Sequence, residues 1–204
     1  MFEYDKEQIA RILTLEEFEF NEFNLNQIMH VPMHQYRISS NDKPFLLIEN
    51  LQVCIGLYAY SKNFGFSAHL NPVVVRGDEF ICDKNKNIVY SKRIEDLYKA
   101  IIDNGVNNVN IGISIGFNPV TETYCALDML NKEIDDLIIK LEKQGIIANK
   151  LDIIYNHVFI IDSINEKIII PNVKLKSRWY FYSSNYRYSF RQKDIENISF
   201  LYYT

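Results

Sequence analysis

In this 204-residue chain the side chains best suited to chemistry are Cys54 and His69. They flank a predicted hairpin: Cys54-Ile-Gly-Leu-Tyr-Ala-Tyr60, then Ser61-Lys62-Asn63, then Phe64-Gly-Phe-Ser-Ala-His69. Side chains alternate along strands, so faces can be counted. A two-residue loop of Lys62 and Asn63 pairs Gly56 with His69 and leaves Cys54 diagonal to it on the same face. A three-residue loop pairs Tyr60 with Phe64 and sends the two to opposite faces. Asn63 tolerates the positive φ of a primed turn, which favours the shorter loop. On one face, the imidazole can draw the thiol proton and create a nucleophile–base pair. Ser67 and Asn71 share the His69 face by period two and could orient its ring. The competing reading is a buried inert cysteine beside a packed histidine, since parity alone satisfies this arrangement half the time.

The other candidates have plainer readings. His30 and His34 stand at i, i+4, but Pro32 between them argues for extended chain rather than a metal-binding helix. His157 lies in an apolar stretch and reads as a satisfied core histidine. Cys82 and Cys125 have no nearby histidine and read as packing residues. Three widely spaced cysteines form neither a disulfide framework nor a metal motif, so reduced thiols are expected. Gly112 and Gly116 do not make GxGxxG, and their segment reads as a strand. No metal or cofactor site is expected.

Composition narrows the class. Hydrophobic residues make up 48% and charged residues 24%, which excludes a disordered chain. The net charge of −4 argues against a nucleic-acid-binding protein. Residues 1–30 hold seven acids (Glu3, Asp5, Glu7, Glu16, Glu17, Glu19, Glu22) against Lys6 and Arg11. The first residues carry acids where a signal peptide needs a basic start, and no apolar run reaches membrane-spanning length. A cytoplasmic protein without membrane insertion is expected. Of 13 Phe, 14 Tyr and 1 Trp, ten fall within residues 178–204, interleaved with Arg178, Arg187 and Arg191. Such a tail could stack single-stranded nucleic acid. The acidic balance of the chain favours added β-structure instead.

These side chains need elements to hold them. Ser91 can cap a helix over 91–104, with Ile94, Leu97, Tyr98, Ile101 and Ile102 on one face and Gly105 after its end. Asn131 can cap a second helix over 131–144, with Ile134, Leu137, Ile138 and Leu141 as its stripe. Strands are predicted at 45–48, 53–60, 64–70, 111–117, 153–161 and 167–170. Asn165 and Glu166 suit a tight turn before the last of these. Three more strands are predicted in the tail, at 179–182, 186–190 and 199–203. Residues 5–22 read as one or two short acidic helices. This order predicts an α+β fold: a layered sandwich of mainly antiparallel sheet with both helices on one face.

Several of these segments together resemble the CheD family of chemoreceptor glutamine deamidases. Val31-Pro-Met-His-Gln-Tyr-Arg-Ile-Ser39 is similar to its opening strand, and Phe45 to Leu51 to the strand leading to its nucleophile. Cys54-Ile-Gly-Leu-Tyr-Ala-Tyr60 resembles the nucleophile strand, often CVGVALYD. Phe64-Gly-Phe-Ser-Ala-His69-Leu-Asn-Pro72 resembles GGMAH…LP. Val89-Tyr90 and the helix to Gly105 resemble the KYAD segment. Tyr155 to Lys167 resembles the closing strand and hairpin. The resemblance covers roughly 28–171, leaving 1–27 as an acidic helical extension. Residues 172–204 lie beyond it and are expected to be an aromatic β-rich extension packed on the same domain.

The resemblance implies a CheD-like fold and deamidation of glutamine side chains in a partner protein, without cofactor. Cys54 would be the nucleophile and His69 the base; Ser67, placed with them by parity, or Asn71 would have to substitute for the family's Thr. The Cys-to-His spacing is two residues shorter than the family's, which preserves parity. A gapless alignment would instead place Gln52 at the nucleophile position. Ile48 stands where the family has Thr, and the approach to Cys54 has no glycine. These departures keep a second reading open, a catalytically inactive CheD-like binding or regulatory module. No oligomeric state is assigned.

Overall fold

The computed structural model describes residues 25–49, 51–72, 80–82, 88–116, 119–156, 158–173 and 198–203. A short 3-10 turn (Leu25–Gln27) opens the described chain. Strands β1 (Ile28–His30), β2 (Tyr36–Ile38), β3 (Phe45–Ile48), β4 (Ile55–Ser61), β5 (Phe64–Leu70), β6 (Phe80–Cys82) and β7 (Ile88–Ser91) follow. Helix α1 (Lys92–Asp103), β8 (Asn108–Ile115) and α2 (Thr121–Glu142) come next. The chain ends with β9 (Ile147–Lys150), β10 (Ile154–Tyr155), β11 (Phe159–Asp162), β12 (Lys167–Val173) and β13 (Ile198–Tyr203). Among the described residues the fold is α+β, with two helices and mixed sheets of mostly antiparallel strands. None of the described helices is long and apolar enough to cross a membrane.

Two sheets carry the structure. The first has the order β1-β3-β11-β12-β13, and the second β10-β8-β4-β5-β2, with β9 also pairing β8. β6 and β7 form a separate two-stranded ribbon. The alternation of β4 and β5 serves two cores at once. One set of faces, Ile55, Leu57, Ala59, Phe66, Ala68 and Leu70, packs with α1 and α2. The opposite face of β4, Tyr58 and Tyr60, packs with Cys54 against Leu46, Ile48, Phe159 and Ile161 of the first sheet. Strands apolar on both faces are what a middle layer requires. The layers run first sheet, second sheet, helices, with both helices on one face as expected.

Helix α1 matches its sequence prediction closely. Ser91 Oγ accepts from Arg93 N at 3.3 Å, and Gly105 follows the end with φ 62°. The second helix begins eleven residues earlier than the cap at Asn131 predicts, its N-cap being Val120. Its buried stripe extends back through Leu130, Leu127, Ala126 and Thr123. Thr123 Oγ1 ties the start down, accepting from Val120 N at 3.2 Å and donating to Val53 O at 2.8 Å. Cys125 falls off that stripe and is exposed, so the expectation that it packs in the core is corrected.

Three further differences concern strands. The single strand predicted at 153–161 is two, because the chain changes sheets there. β10 pairs β8 and β11 pairs β3. Asn156 holds the crossing, accepting Ser114 Oγ at its carbonyl (2.9 Å) and Val158 N at its side chain (3.2 Å). The opening strand predicted over 31–39 is broken, with only Tyr36–Ile38 in a strand and His34 at φ 67°. The turn at Asn165 and Glu166 is the end of a four-residue connection, since Asp162 pairs Lys167. Asp162 Oδ1 accepts from Ile164 N and Asn165 N at 3.1 and 3.0 Å. β13 overlies the strand predicted at 199–203 and pairs β12. The acidic helices at 5–22, the strands at 179–182 and 186–190, and His157 lie outside the described residues.

Candidate functional site

The hairpin turn decides the parity of Cys54 and His69. Ser61 pairs Phe64, so Lys62 and Asn63 alone form the loop, with Asn63 at φ 60°. Gly56 then pairs His69, and Tyr58 pairs Ser67. Cys54 packs in the layer between the sheets together with Tyr58 and Tyr60. Cys54, Ser67 and His69 therefore share one face. All three are buried, Cys54 1% and His69 3% exposed. Gln52, the alternative nucleophile position, is exposed just outside this layer. Ile48 is buried within it.

Gly56 is required by close approach. A Cβ on it would stand 2.8 Å from Phe159 Cε1. The absent side chain lets Phe159 of the facing sheet settle over β4 between Cys54 and Tyr58. Gly112 does the same for Tyr58, whose phenol a Cβ there would clash with. The Tyr58 phenol is pushed well above its usual pKa, chiefly by burial and then by Tyr60 and Asp152.

Neither ring nitrogen of His69 makes a hydrogen bond of good geometry among the described residues, and neither does Ser67 Oγ, although the Val31 backbone interacts with the ring. The thiol and imidazole thus share a face without a hydrogen bond between them, and Ser67 does not orient the ring. Asn71 Nδ2 donates to Met33 Sδ at 3.5 Å. Burial lowers the His69 pKa from 6.5 to about 3, with His30 and His34 adding to the effect and the Val31 backbone partly offsetting it. The imidazole is neutral at physiological pH, the form a general base requires.

Sequence reasoning passes over a second buried pair near this face. His30 Nε2 lies 3.9 Å from Glu49 Oε1, and both side chains are nearly inaccessible. Burial, then Arg37, lowers the His30 pKa to about 3. Nineteen residues separate these two in sequence. Only the parallel pairing of β1 with β3 brings them together. His34 lies outside this pair, and no group of three His, Cys, Asp or Glu among the described residues could hold a metal. Thr123 is a second omission. Its bond to Val53 O anchors the start of α2 beside the residue preceding Cys54.

No protein-family model matches this chain, and a search of curated proteins finds no match. The functional reading therefore rests on the residues, their register and the resemblance described above.

Proposed function

We propose that the chain is a CheD-like cysteine amidohydrolase that deamidates glutamine side chains of a partner protein. The observation that carries this reading is the register pairing Gly56 with His69, which sets Cys54 and His69 on one face. In the proposed reaction His69 takes the Cys54 proton as the sulfur attacks the carboxamide carbon. The tetrahedral intermediate collapses, and His69 returns the proton to the departing ammonia. Water then cleaves the thioester, leaving glutamate and the free thiol. No cofactor enters this scheme. By resemblance the substrate is a chemoreceptor or an analogous protein, and the compartment is the cytoplasm.

The burial of Cys54 and the lack of a hydrogen bond from His69 to it favour a second reading, a catalytically inactive CheD-like module that binds a regulatory partner. Ammonia release from candidate partner proteins separates the two. The enzyme reading expects release by the wild type that falls to background in Cys54→Ala and His69→Ala. Binding of a partner with no ammonia above background supports the regulatory module and overturns the enzyme.

A further inference from the structure

The link between β1 and β2 crosses from one sheet to the other, and it does so over His69. Val31 N donates to Leu47 O at 2.9 Å, fastening the first end of the crossing to the first sheet. Met33 bridges His69, His34 N donates to His69 O at 2.9 Å, and His69 N donates to Gln35 O at 3.0 Å. Val31 is fully buried in the cluster that contains Cys54, and Met33 packs against it. Residues 31–35 thus close the end of the inter-sheet layer that holds the thiol and the imidazole.

One side chain from the helical layer holds this crossing from outside. Arg93, in the first turn of α1, donates from Nη2 to His34 O at 3.3 Å. Its guanidinium lies 5.1 Å over the Tyr36 ring, and Tyr36 stacks on Phe66 of β5. Nη1 pairs with Asp96 at 2.6 Å, which fixes the fork in place. The residue it grips has φ 67°, a backbone conformation that disfavours a side chain bearing Cβ. Tight packing lies on one side of this segment, and among the described residues Arg93 grips a carbonyl and a ring on the other. An irregular crossing between two sheets that carries an unfavourable dihedral is a place where a fold can open locally.

We propose that residues 31–36 form a strap, latched by Arg93, whose local opening gives access to the layer containing Cys54 and His69. The strap stands whether or not the chain is a deamidase, because its readout is access and not turnover.

The test is iodoacetamide alkylation of the native protein, with adducts mapped to Cys54 and to exposed Cys125. Arg93→Ala is compared with Lys140→Ala, which removes a different contact of α1 with α2, Lys140 Nζ at 3.4 Å from the Tyr98 ring centroid. The expected result is a rise of about tenfold or more in the Cys54 rate for Arg93→Ala, with Cys125 unchanged and Lys140→Ala like the wild type. An unchanged Cys54 rate in Arg93→Ala, or an equal rise in Lys140→Ala, overturns the latch. Amide exchange of the wild type supplies a measure that needs no variant. The His34 and His69 amides should open together, more readily than the central amides of β4. Exchange of both only at the rate of global unfolding overturns the strap.

Discussion

Burial makes His69 a source of acid lability. Its folded pKa is about 3 and its ordinary value 6.5, so the unfolded chain binds the proton first as pH falls. Above pH 6.5 the fold carries no such penalty. Below it, stability declines progressively until about pH 3. At pH 5 the loss from this one side chain is about 2 kcal/mol, taking 1.36 kcal/mol per pH unit. Urea denaturation at pH 7.5 and pH 5 reads the net slope, to which His30 adds and which Glu133 opposes. His69→Gln should lose less stability between the two pH values than the wild type, and an equal loss in that variant would assign the lability elsewhere. A second residue-scale prediction concerns Gly56. Gly56→Ala places a methyl 2.8 Å from Phe159 Cε1, inside contact distance, where only a shift of the ring or the strand relieves it. The expected cost is about 1–3 kcal/mol in chemical denaturation. Phe159→Leu in the same background should recover part of it, and no recovery would place the strain at another contact.

Among the elements, the join of β7, α1 and α2 depends on one carboxylate. Ser91 N donates to both oxygens of Glu133, at 3.1 and 3.3 Å, across from the start of α1. Burial raises the Glu133 pKa from 4.5 to about 7, the Ser91 bond partly lowers it again, and Asp136 raises it a little. Here the folded chain holds its proton longer than the unfolded chain. Stability from this group is therefore complete below pH 4.5 and declines as pH rises to about 7, opposite in sign to the histidine effect. His30 and His69 are both deeply buried, and Glu133 is only half-buried, so the net slope follows the histidines. Glu133→Gln removes the opposing contribution, and its loss of stability between pH 7 and pH 5 should be steeper than in the wild type. A shallower loss in that variant would contradict the raised carboxylate. Helix α1 itself needs no tertiary help to be recognised, because Ser91, its apolar stripe and Gly105 all lie within one local window. The start of α2 is hidden for the opposite reason. Its N-cap is Val120, and its anchor is Thr123 bonding to Val53, seventy residues away.

At the scale of the whole molecule, three layers set the environment of every candidate side chain. β4 and β5 form part of the middle layer, which accounts for their apolar character on both faces and for the burial of Cys54, Ser67 and His69. If the proposed deamidase is correct, a glutamine side chain must enter between two sheets, and the β1–β2 strap is the segment proposed to yield. Partner-dependent acceleration of Cys54 alkylation would be the whole-molecule sign of that event, and its absence with a deamidated partner would contradict the route. The α+β class, the hairpin and the shared face of Cys54 and His69 are legible in the chain itself. They depend on period-two alternation and on Asn63 accepting a positive φ, both local properties. The split between β10 and β11, the turn of the chain at His34, the meeting of His30 with Glu49 and the burial of His69 are not legible there. Each depends on which sheet a segment joins and on what the opposite sheet places against it, and those contacts span long sequence separations that no local pattern encodes.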